Sequence, residues 1–328
     1  MENKRPAFAE ITPVQIDGDS YNRLMIALKT SGCVHALSDS GGCTFCGFKE
    51  LTSKGVSISA ENLVGQFFDG ILKFDIKTNN IAEIDIYNSG SFLSDREVPP
   101  QAREAIFKMA SSLEIKKIFI ESRPEFIIDN KSELIKLKKL WGDRIFELGM
   151  GLETADDRLR QEQMNKGFSY DDFCRAAEIL AELNIDLLAY VFFKPPSLTE
   201  REAIEDSVNT IHKLSELTEK FNLNIKAALQ PAFVAKGTAL EKLYLEGKYQ
   251  TPNLWSVVEI IKRTAYLPVD LQVGLSDEGL SEGRVAYSCL KCYDSIISAL
   301  RQFNSSGVLD DISAIQSLSC ECLKIEDL

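Results

Sequence analysis

Three cysteines lie close together near the start of the chain, at Cys33, Cys43 and Cys46. Their spacing is Cys-x9-Cys-x2-Cys, among glycines and directly after the apolar, strand-like run 24–28. Three thiolates can hold a four-iron, four-sulfur cluster and leave its fourth iron without a protein ligand, whereas structural zinc sites and electron-transferring clusters normally take four ligands. The spacing therefore predicts an iron–sulfur site that is open for chemistry.

Two other interpretations of this loop are a disulfide and a zinc site. The first residues, Met-Glu-Asn-Lys-Arg-Pro, do not resemble a signal peptide, so we expect a cytoplasmic protein and no disulfide. A zinc site with three cysteines and one histidine would use His35, which lies in the same loop.

A second set of cysteines lies near the end of the chain, with the spacings Cys-x2-Cys and Cys-x-Cys, at Cys289, Cys292, Cys320 and Cys322. Four thiols in two close pairs suit a tetrahedral zinc ion or an auxiliary iron–sulfur cluster, and the spacing does not separate the two. Two pairs of unligated thiols are the alternative. We expect a metal here to hold the helix predicted at 294–303 in place.

The composition is that of a soluble globular protein, with 45% hydrophobic and 26% charged residues among 328. The sequence contains no apolar run of the ~18 residues that a membrane span needs. Its formal net charge of −12 opposes binding to phosphodiester backbones. The densest basic segment, 131–139, is predicted to be a solvated helix face.

Apolar strand-like runs alternate with amphipathic helical patterns through most of the chain, which predicts an α/β fold with a parallel sheet curled into a full or partial barrel. About six such β/α units precede residue 231. We therefore expect four segments: an N-terminal extension (1–20), a barrel core (21–230), a capping region (231–280) and a cysteine-bearing C-terminal extension (281–328).

The cysteine loop and several later segments resemble the radical S-adenosylmethionine (radical SAM) superfamily. Within it, they are most similar to the branch that contains the radical SAM subunit of archaeosine synthase and bacterial maturases of peptides with Nif11-type leaders. The segments that carry the resemblance are 29–33, 41–48, 87–93, 120–125, 151–154, 165–168, 193–196 and 254–256.

The resemblance implies a partial (β/α)6 radical SAM barrel with a C-terminal cysteine-bearing extension. It also implies that Cys33, Cys43 and Cys46 hold a 4Fe–4S cluster, on which S-adenosylmethionine is reductively cleaved to a 5′-deoxyadenosyl radical. A reductant such as flavodoxin or ferredoxin would supply the electron.

The polar residues at the predicted strand ends would then contact S-adenosylmethionine, namely Ser89, Gly90, Ser91, Glu121, Arg123 and Glu153. The loop 89–91 would offer backbone groups to the methionine moiety, Arg123 would pair with its carboxylate, and Glu121 would accept from an amine or hydroxyl. Glu153 would accept from the ribose hydroxyls. An ordinary strand-end salt bridge is the alternative for Glu121 and Arg123, and Lys194 is a weaker candidate for substrate contact.

The resemblance leaves two substrate classes open. One is a ribosomally made peptide, presented by a leader-binding partner and modified by a lyase-type reaction such as excision of a tyramine unit from a Tyr-Gly site. The other is tRNA, in which an archaeosine-synthase-type lyase acts on a lysine-adducted 7-deazaguanine. The acidic composition favours the peptide. A non-catalytic iron–sulfur protein is disfavoured, because the three-cysteine loop and the strand-end motifs occur together.

Overall fold

The computed structural model describes residues 4–313, 315, 320 and 322. Within this part of the chain, strands alternate with helices from the second strand onward. The strands are β1 (Phe8–Ile16), β2 (Asp19–Ala27), β3 (Ile81–Tyr87), β4 (Lys117–Glu121), β5 (Ile145–Glu153), β6 (Asp186–Phe193), β7 (Ile225–Pro231) and β8 (Asp270–Val273).

Helices connect the parallel strands, and a 3-10 turn (Phe48–Leu51) and a π-helical turn (Leu159–Gln163) accompany them. No helix in the described ranges is both long and apolar enough to cross a membrane. The α-helices are α1 (Ala60–Leu72), α2 (Pro100–Ser111), α3 (Pro124–Asp129), α4 (Lys131–Trp141), α5 (Tyr170–Glu182), α6 (Glu200–Phe221), α7 (Ala239–Leu245), α8 (Leu254–Thr264), α9 (Tyr293–Ser306) and α10 (Asp310–Ser313).

The eight strands form one sheet in chain order. Strands β1 and β2 are antiparallel and joined by a two-residue Asp17-Gly18 turn, in which both residues have positive φ (55° and 84°). Strands β2, β3, β4 and β5 pair in parallel in that order, and β7 pairs in parallel with β8. Sequential parallel strands with intervening helices confirm the predicted α/β class. The carboxyl ends of β2 to β5 therefore lie along one edge of the sheet.

Two elements differ from the sequence-based expectation. Residues 1–20 were predicted only as an extension, yet 8–16 form the edge strand β1, where Pro13 is tolerated because an edge strand need not donate at every residue. The apolar periodicity of residues 126–141 predicts one continuous helix, but the helix is interrupted at Asn130, which has non-helical φ and ψ (−112° and 30°). The Asn130 side-chain amide donates a hydrogen bond to the Leu93 carbonyl at 3.3 Å.

The chain clusters into two compact units, each assembled from distant segments. Unit 1 contains residues 1–42, 48–150 and 172–187, and unit 2 contains 43–47, 151–171 and 188–328. Residues 1–3, 314, 316–319, 321 and 323–328, which belong to the predicted terminal segments, lie outside the described residues. The predicted boundaries at 20, 230 and 280 remain predictions.

Charged side chains are buried among the first strands of unit 1. The Lys117 ammonium on β4 lies 3.1 Å from a Glu83 carboxylate oxygen on β3 and 3.0 Å from one of Glu147 on β5. Asp85 is also buried, and Arg23 lies 3.3 Å from it. Burial, followed by repulsion from Glu83, raises the pKa of Asp85 well above its usual value. This part of the core therefore contains paired charges among its apolar side chains.

Candidate active site at the strand ends

Cys33 lies in unit 1, in the loop that follows β2. The loop begins with a hydrogen bond from the Thr30 hydroxyl to the Asn88 carbonyl (3.0 Å), which ties it to the end of β3. Further along, Gly42 (φ 82°) packs so closely that a Cβ there would lie 2.7 Å from Ala36 Cα. Only glycine satisfies both the conformation and the space, so this part of the loop is tightly closed.

Cys43 and Cys46 belong to the short segment 43–47 of unit 2. Between them, the Thr44 amide donates to the Met164 carbonyl at 3.1 Å and its hydroxyl to the Gln163 carbonyl at 2.8 Å. Phe45 packs against a buried apolar cluster of the same unit. The thiols are half-buried, and the cysteines are not in disulfides. The hydrogen bonds of Thr44 and the packing of Phe45 thus hold the segment in place, while the thiols of Cys43 and Cys46 remain accessible to a metal.

The loop after β3 is organised by a buried carboxylate, Glu97, which the sequence analysis did not single out. The Glu97 carboxylate accepts hydrogen bonds from the Ser91 amide (2.7 Å), the Asn88 side-chain amide (3.0 Å) and the Val34 amide (3.1 Å). Burial raises its pKa to about 7, against the opposing effect of the amide donors. Glu97 therefore joins the loop that carries Cys33 to the loop 88–91.

The close approach of these two loops requires glycine at position 90. A Cβ on Gly90 would lie 1.9 Å from a Glu97 carboxylate oxygen and 3.0 Å from Cys33 Cα. A charged residue that follows a polar loop and precedes the Pro99-Pro100 pair at the start of α2 was the available sequence signal for Glu97. That signal is weak, because most such residues are exposed.

Arg123 and Glu121 lie at the end of β4, as predicted. The Arg123 side chain is mostly buried and forms an ion pair with Glu125, and its backbone amide donates to the Ser91 hydroxyl at 3.1 Å. The Glu121 carbonyl accepts from the Phe92 amide at 2.8 Å. The ends of β3 and β4 are thus linked, and Glu125, which the sequence analysis missed, is the anionic partner of Arg123.

Glu153 ends β5 in unit 2 and is buried together with Lys166. The Lys166 ammonium lies 2.9 Å from a Glu153 carboxylate oxygen, and 6.0 Å from the centre of the Phe45 ring. A Cβ on Gly151 would lie 2.4 Å from the same carboxylate, so a larger residue there would displace the pair. Lys166 therefore connects the end of β5 with the segment that carries Cys43 and Cys46.

Lys194 follows β6 and is buried in an ion pair. Its ammonium lies 2.6 Å from a carboxylate oxygen of Glu200, which is 1% exposed, and its carbonyl accepts from the Tyr249 hydroxyl at 2.8 Å. This placement gives Lys194 a structural partner in addition to its predicted contact with substrate.

Three of the predicted site residues have backbones in the left-handed region, namely Ser89 (φ 54°), Glu153 (φ 67°) and Lys194 (φ 74°). Each lies at the carboxyl end of its own strand. Such a conformation is costly for residues other than glycine and asparagine, and it is typical of functional sites. Three of the predicted site residues thus have a strained backbone, one in unit 1 and two in unit 2.

In the C-terminal extension (281–328), which we call the tail, the four cysteines predicted to bind a metal lie close together. Their sulfur atoms lie within 4.8 Å of one another. His35, the alternative zinc ligand of the first loop, has its Nδ1 atom 3.3 Å from the Ser40 hydroxyl.

A family model described as the radical SAM superfamily matches residues 28–208, more than half of the chain. The chain belongs to the radical SAM superfamily. An archaeosine synthase subunit beta from Methanosarcina acetivorans is 30% identical over 322 residues, which cover 95% of this chain and 88% of the relative. An uncharacterised protein from Methanocaldococcus jannaschii is 35% identical over 308 residues, 92% of this chain and 80% of the relative.

Among solved structures, the archaeal Elp3 of Methanocaldococcus infernus is similar in fold, with a TM-score of 0.53 at 14% identity. The likeness covers 73% of this chain and 59% of that one. The predicted partial radical SAM barrel with a C-terminal cysteine cluster is thus confirmed.

Membership of the radical SAM superfamily implies a 4Fe–4S cluster and S-adenosylmethionine. The residues at the strand ends suit such a ligand: within the described ranges, Asn88 Oδ1 and Ser122 Oγ are buried without a hydrogen-bond partner. The three half-buried thiols are the donor type that iron–sulfur clusters take. When bound, these groups supply one-electron radical chemistry, and the protein orients them and excludes water.

Proposed function

We propose that this radical SAM enzyme modifies a ribosomally synthesised peptide in a lyase-type reaction, such as excision of a tyramine unit from a Tyr-Gly site. In this proposal Cys33, Cys43 and Cys46 hold the 4Fe–4S cluster. The strand-end residues contact S-adenosylmethionine, namely Ser89, Gly90, Ser91, Glu121, Arg123 and Glu153. A flavodoxin or ferredoxin supplies the electron, and a separate protein recognises the leader of the peptide.

The observation that carries the choice of a peptide is the charge of the chain. There are 37 lysines and arginines against 49 aspartates and glutamates. In the most basic segment, on α4, Lys131 is paired with Glu182, and Lys136 lies 3.3 Å from a Glu133 carboxylate oxygen. Acidic neighbours thus offset the charge that would attract a phosphate backbone, which argues against unaided RNA binding.

A second candidate function is modification of tRNA by an archaeosine-synthase-type lyase. It is favoured by the relative from Methanosarcina acetivorans, which is named as a subunit of archaeosine synthase and matches over 95% of the chain. A subunit can act on tRNA that another chain holds, so an acidic surface is compatible with this function.

A tRNA-binding measurement tests the peptide proposal, and the product of the reaction separates the two functions. Affinity for bulk tRNA is measured with the anaerobically reconstituted chain at roughly 0.15 M salt, where weak phosphate attraction is screened. The Methanosarcina acetivorans relative, in the same buffer, is the comparison. We expect no detectable binding by this chain. Micromolar or tighter binding would contradict the peptide proposal.

The product is examined by mass spectrometry after incubation with S-adenosylmethionine and a reductant. One sample contains peptides with a Tyr-Gly site behind a Nif11-type leader, and a parallel sample contains tRNA that carries the lysine-adducted 7-deazaguanine. We expect the loss of a tyramine unit from the peptide and unchanged nucleosides in the tRNA. A new tRNA nucleoside with unchanged peptides would establish the second function instead.

A further inference from the structure

We propose that the four tail cysteines hold a single tetrahedral zinc ion, which fixes the C-terminal segment to the start of α8, and that they do not hold an auxiliary iron–sulfur cluster. The proposal concerns Cys289, Cys292, Cys320 and Cys322, all in unit 2. It does not depend on the substrate of the enzyme.

The distances between the sulfur atoms favour a single ion. Cys322 Sγ lies 3.3 Å from Cys320 Sγ, 3.4 Å from Cys289 Sγ and 3.8 Å from Cys292 Sγ, and Cys289 and Cys320 are 3.3 Å apart. With zinc–sulfur bonds of about 2.3 Å, the edges of a tetrahedral site are about 3.8 Å. A disulfide would require about 2.05 Å.

An iron–sulfur cluster requires a wider arrangement. In a 4Fe–4S cluster each cysteine sulfur binds a different iron, so the four sulfurs are separated by more than the width of the cluster itself. In a 2Fe–2S cluster two sulfurs share each iron, and the two pairs lie on opposite sides of the cluster. Here all four sulfurs lie within 4.8 Å of one another, which leaves room for one ion.

The surroundings of the sulfurs suit a dianionic zinc–thiolate site. The Trp255 indole N–H donates to Cys322 Sγ at 3.3 Å, which offsets part of the thiolate charge. Cys292 is 1% exposed and immediately precedes α9, whose first turn presents the positive end of the helix dipole. Four protein ligands leave no open position, so the ion is structural rather than catalytic.

One of the four cysteines, Cys322, is hydrogen-bonded to the first of three buried residues that contact one another, namely Asn253, Glu200 and Lys194. The Asn253 side-chain amide donates to the Cys322 carbonyl at 3.4 Å, and its backbone amide donates to a Glu200 carboxylate oxygen at 2.8 Å. The other oxygen of Glu200 pairs with Lys194 at the end of β6. In this proposal the zinc ion stabilises the contacts of Cys322 with Asn253 and Trp255 at the start of α8, and through Asn253 and Glu200 the link to Lys194.

The first test is the metal content of the full-length chain, reconstituted anaerobically and measured by plasma mass spectrometry. We expect about one zinc and about four irons per chain. Cys322→Ser should lose the zinc and keep the iron, whereas Cys46→Ala should lose the iron and keep the zinc. Cys174→Ser, on α5, is the matched control and should keep both. Wild-type protein without zinc, or with iron that is lost in Cys322→Ser, would overturn the proposal.

Two measurements on protein with an intact tail cover the case in which Cys322→Ser does not fold. Cobalt exchanged into Cys46→Ala should give the strong visible bands of tetrahedral thiolate coordination, and a weak octahedral spectrum would overturn the proposal. Removing zinc with a chelator should accelerate amide exchange about tenfold or more in 194–200 and 253–258. Unchanged exchange there would overturn the proposed role of the ion in holding the tail.

Discussion

Glu97 is the residue on which the arrangement of the Cys33 loop depends most directly. Its buried carboxylate accepts from the backbone of both the Cys33 loop and the loop after β3. If the carboxylate is displaced, buried amides on both loops lose their acceptor, which costs about 1–3 kcal/mol for each unsatisfied group. Glu97 is therefore a positioning residue, and it acts through the loops that it joins.

Gly90→Ala should disturb this arrangement without removing a functional group. The new Cβ would collide with the Glu97 carboxylate, so we expect a loss of about 1–3 kcal/mol in unfolding free energy and less iron bound per chain. Denaturant unfolding and an iron assay measure the two effects.

Gly142→Ala is the matched control for Gly90→Ala, because a Cβ at Gly142 meets no atom within 4 Å. Its φ of 79° and ψ of −147° are essentially restricted to glycine, so the control is itself destabilising through backbone strain, but its iron content should be normal. Equal iron content in both variants would contradict the role of Gly90.

Asp206 on α6 should make stability depend on pH. The Thr154 hydroxyl after β5 donates to its carboxylate at 2.6 Å, but burial dominates and raises the pKa from 3.8 to about 6. The folded state therefore holds the proton more tightly than the unfolded state, and stability falls as pH rises from about 4 to about 6. The loss is complete above this range and amounts to about 3 kcal/mol at most.

Asp206→Asn keeps an acceptor for Thr154 and removes the ionisation. We expect this variant to be more stable than the wild type at pH 8, with an advantage that shrinks as pH falls to 5. Thermal unfolding across that range measures the difference, and a gap that does not vary with pH would be inconsistent with the raised pKa.

Among the elements, strands β3, β4 and β5 depend on a buried lysine. The Lys117 ammonium pairs with the carboxylates of both Glu83 and Glu147, with Asp85 close by. Although burial lowers the pKa of Lys117, these carboxylates more than offset it and raise the pKa above its usual value. The pairing of the strands is consequently coupled to the charge on one side chain.

Lys117→Met should destabilise unit 1 by about 3–5 kcal/mol at pH 7, because it removes the cation that pairs with the buried carboxylates of Glu83 and Glu147. Lowering the pH should recover part of the lost unfolding free energy, because the buried carboxylates become protonated. Lys131→Met, at the exposed pair with Glu182, is the control and should cost no more than about 1 kcal/mol. Similar unfolding free energies for the two variants would refute the special role of Lys117.

At the scale of the whole molecule, membership of the radical SAM superfamily predicts that chemistry depends on the first cysteine loop. Cys46→Ala should abolish formation of 5′-deoxyadenosine from S-adenosylmethionine and leave the circular dichroism spectrum unchanged. Cys174→Ser, in a helix outside the cysteine motifs, should retain cleavage. Continued formation of 5′-deoxyadenosine by Cys46→Ala would show that the loop is not the cluster site.

The sequence by itself determined the α/β class, the family and the two cysteine groups. Periodic apolar runs define strands and helices locally, and closely spaced cysteines are recognisable without knowledge of the fold. The strand ends at Ser89, Glu121 and Glu153 were also predictable, because each follows a clear apolar run.

Only the tertiary structure decided which distant side chains meet. Glu97 lies 63 residues from Val34, and Asn253 lies 69 residues from Cys322, so no local pattern could pair them. Asn130, where the helical pattern is interrupted, donates a hydrogen bond to Leu93, a partner 37 residues away that no local pattern indicates. The spacing of the tail cysteines allowed zinc or a cluster. Our proposal of a single ion rests on the distances between the sulfur atoms, which depend on how the folded chain brings the two pairs together.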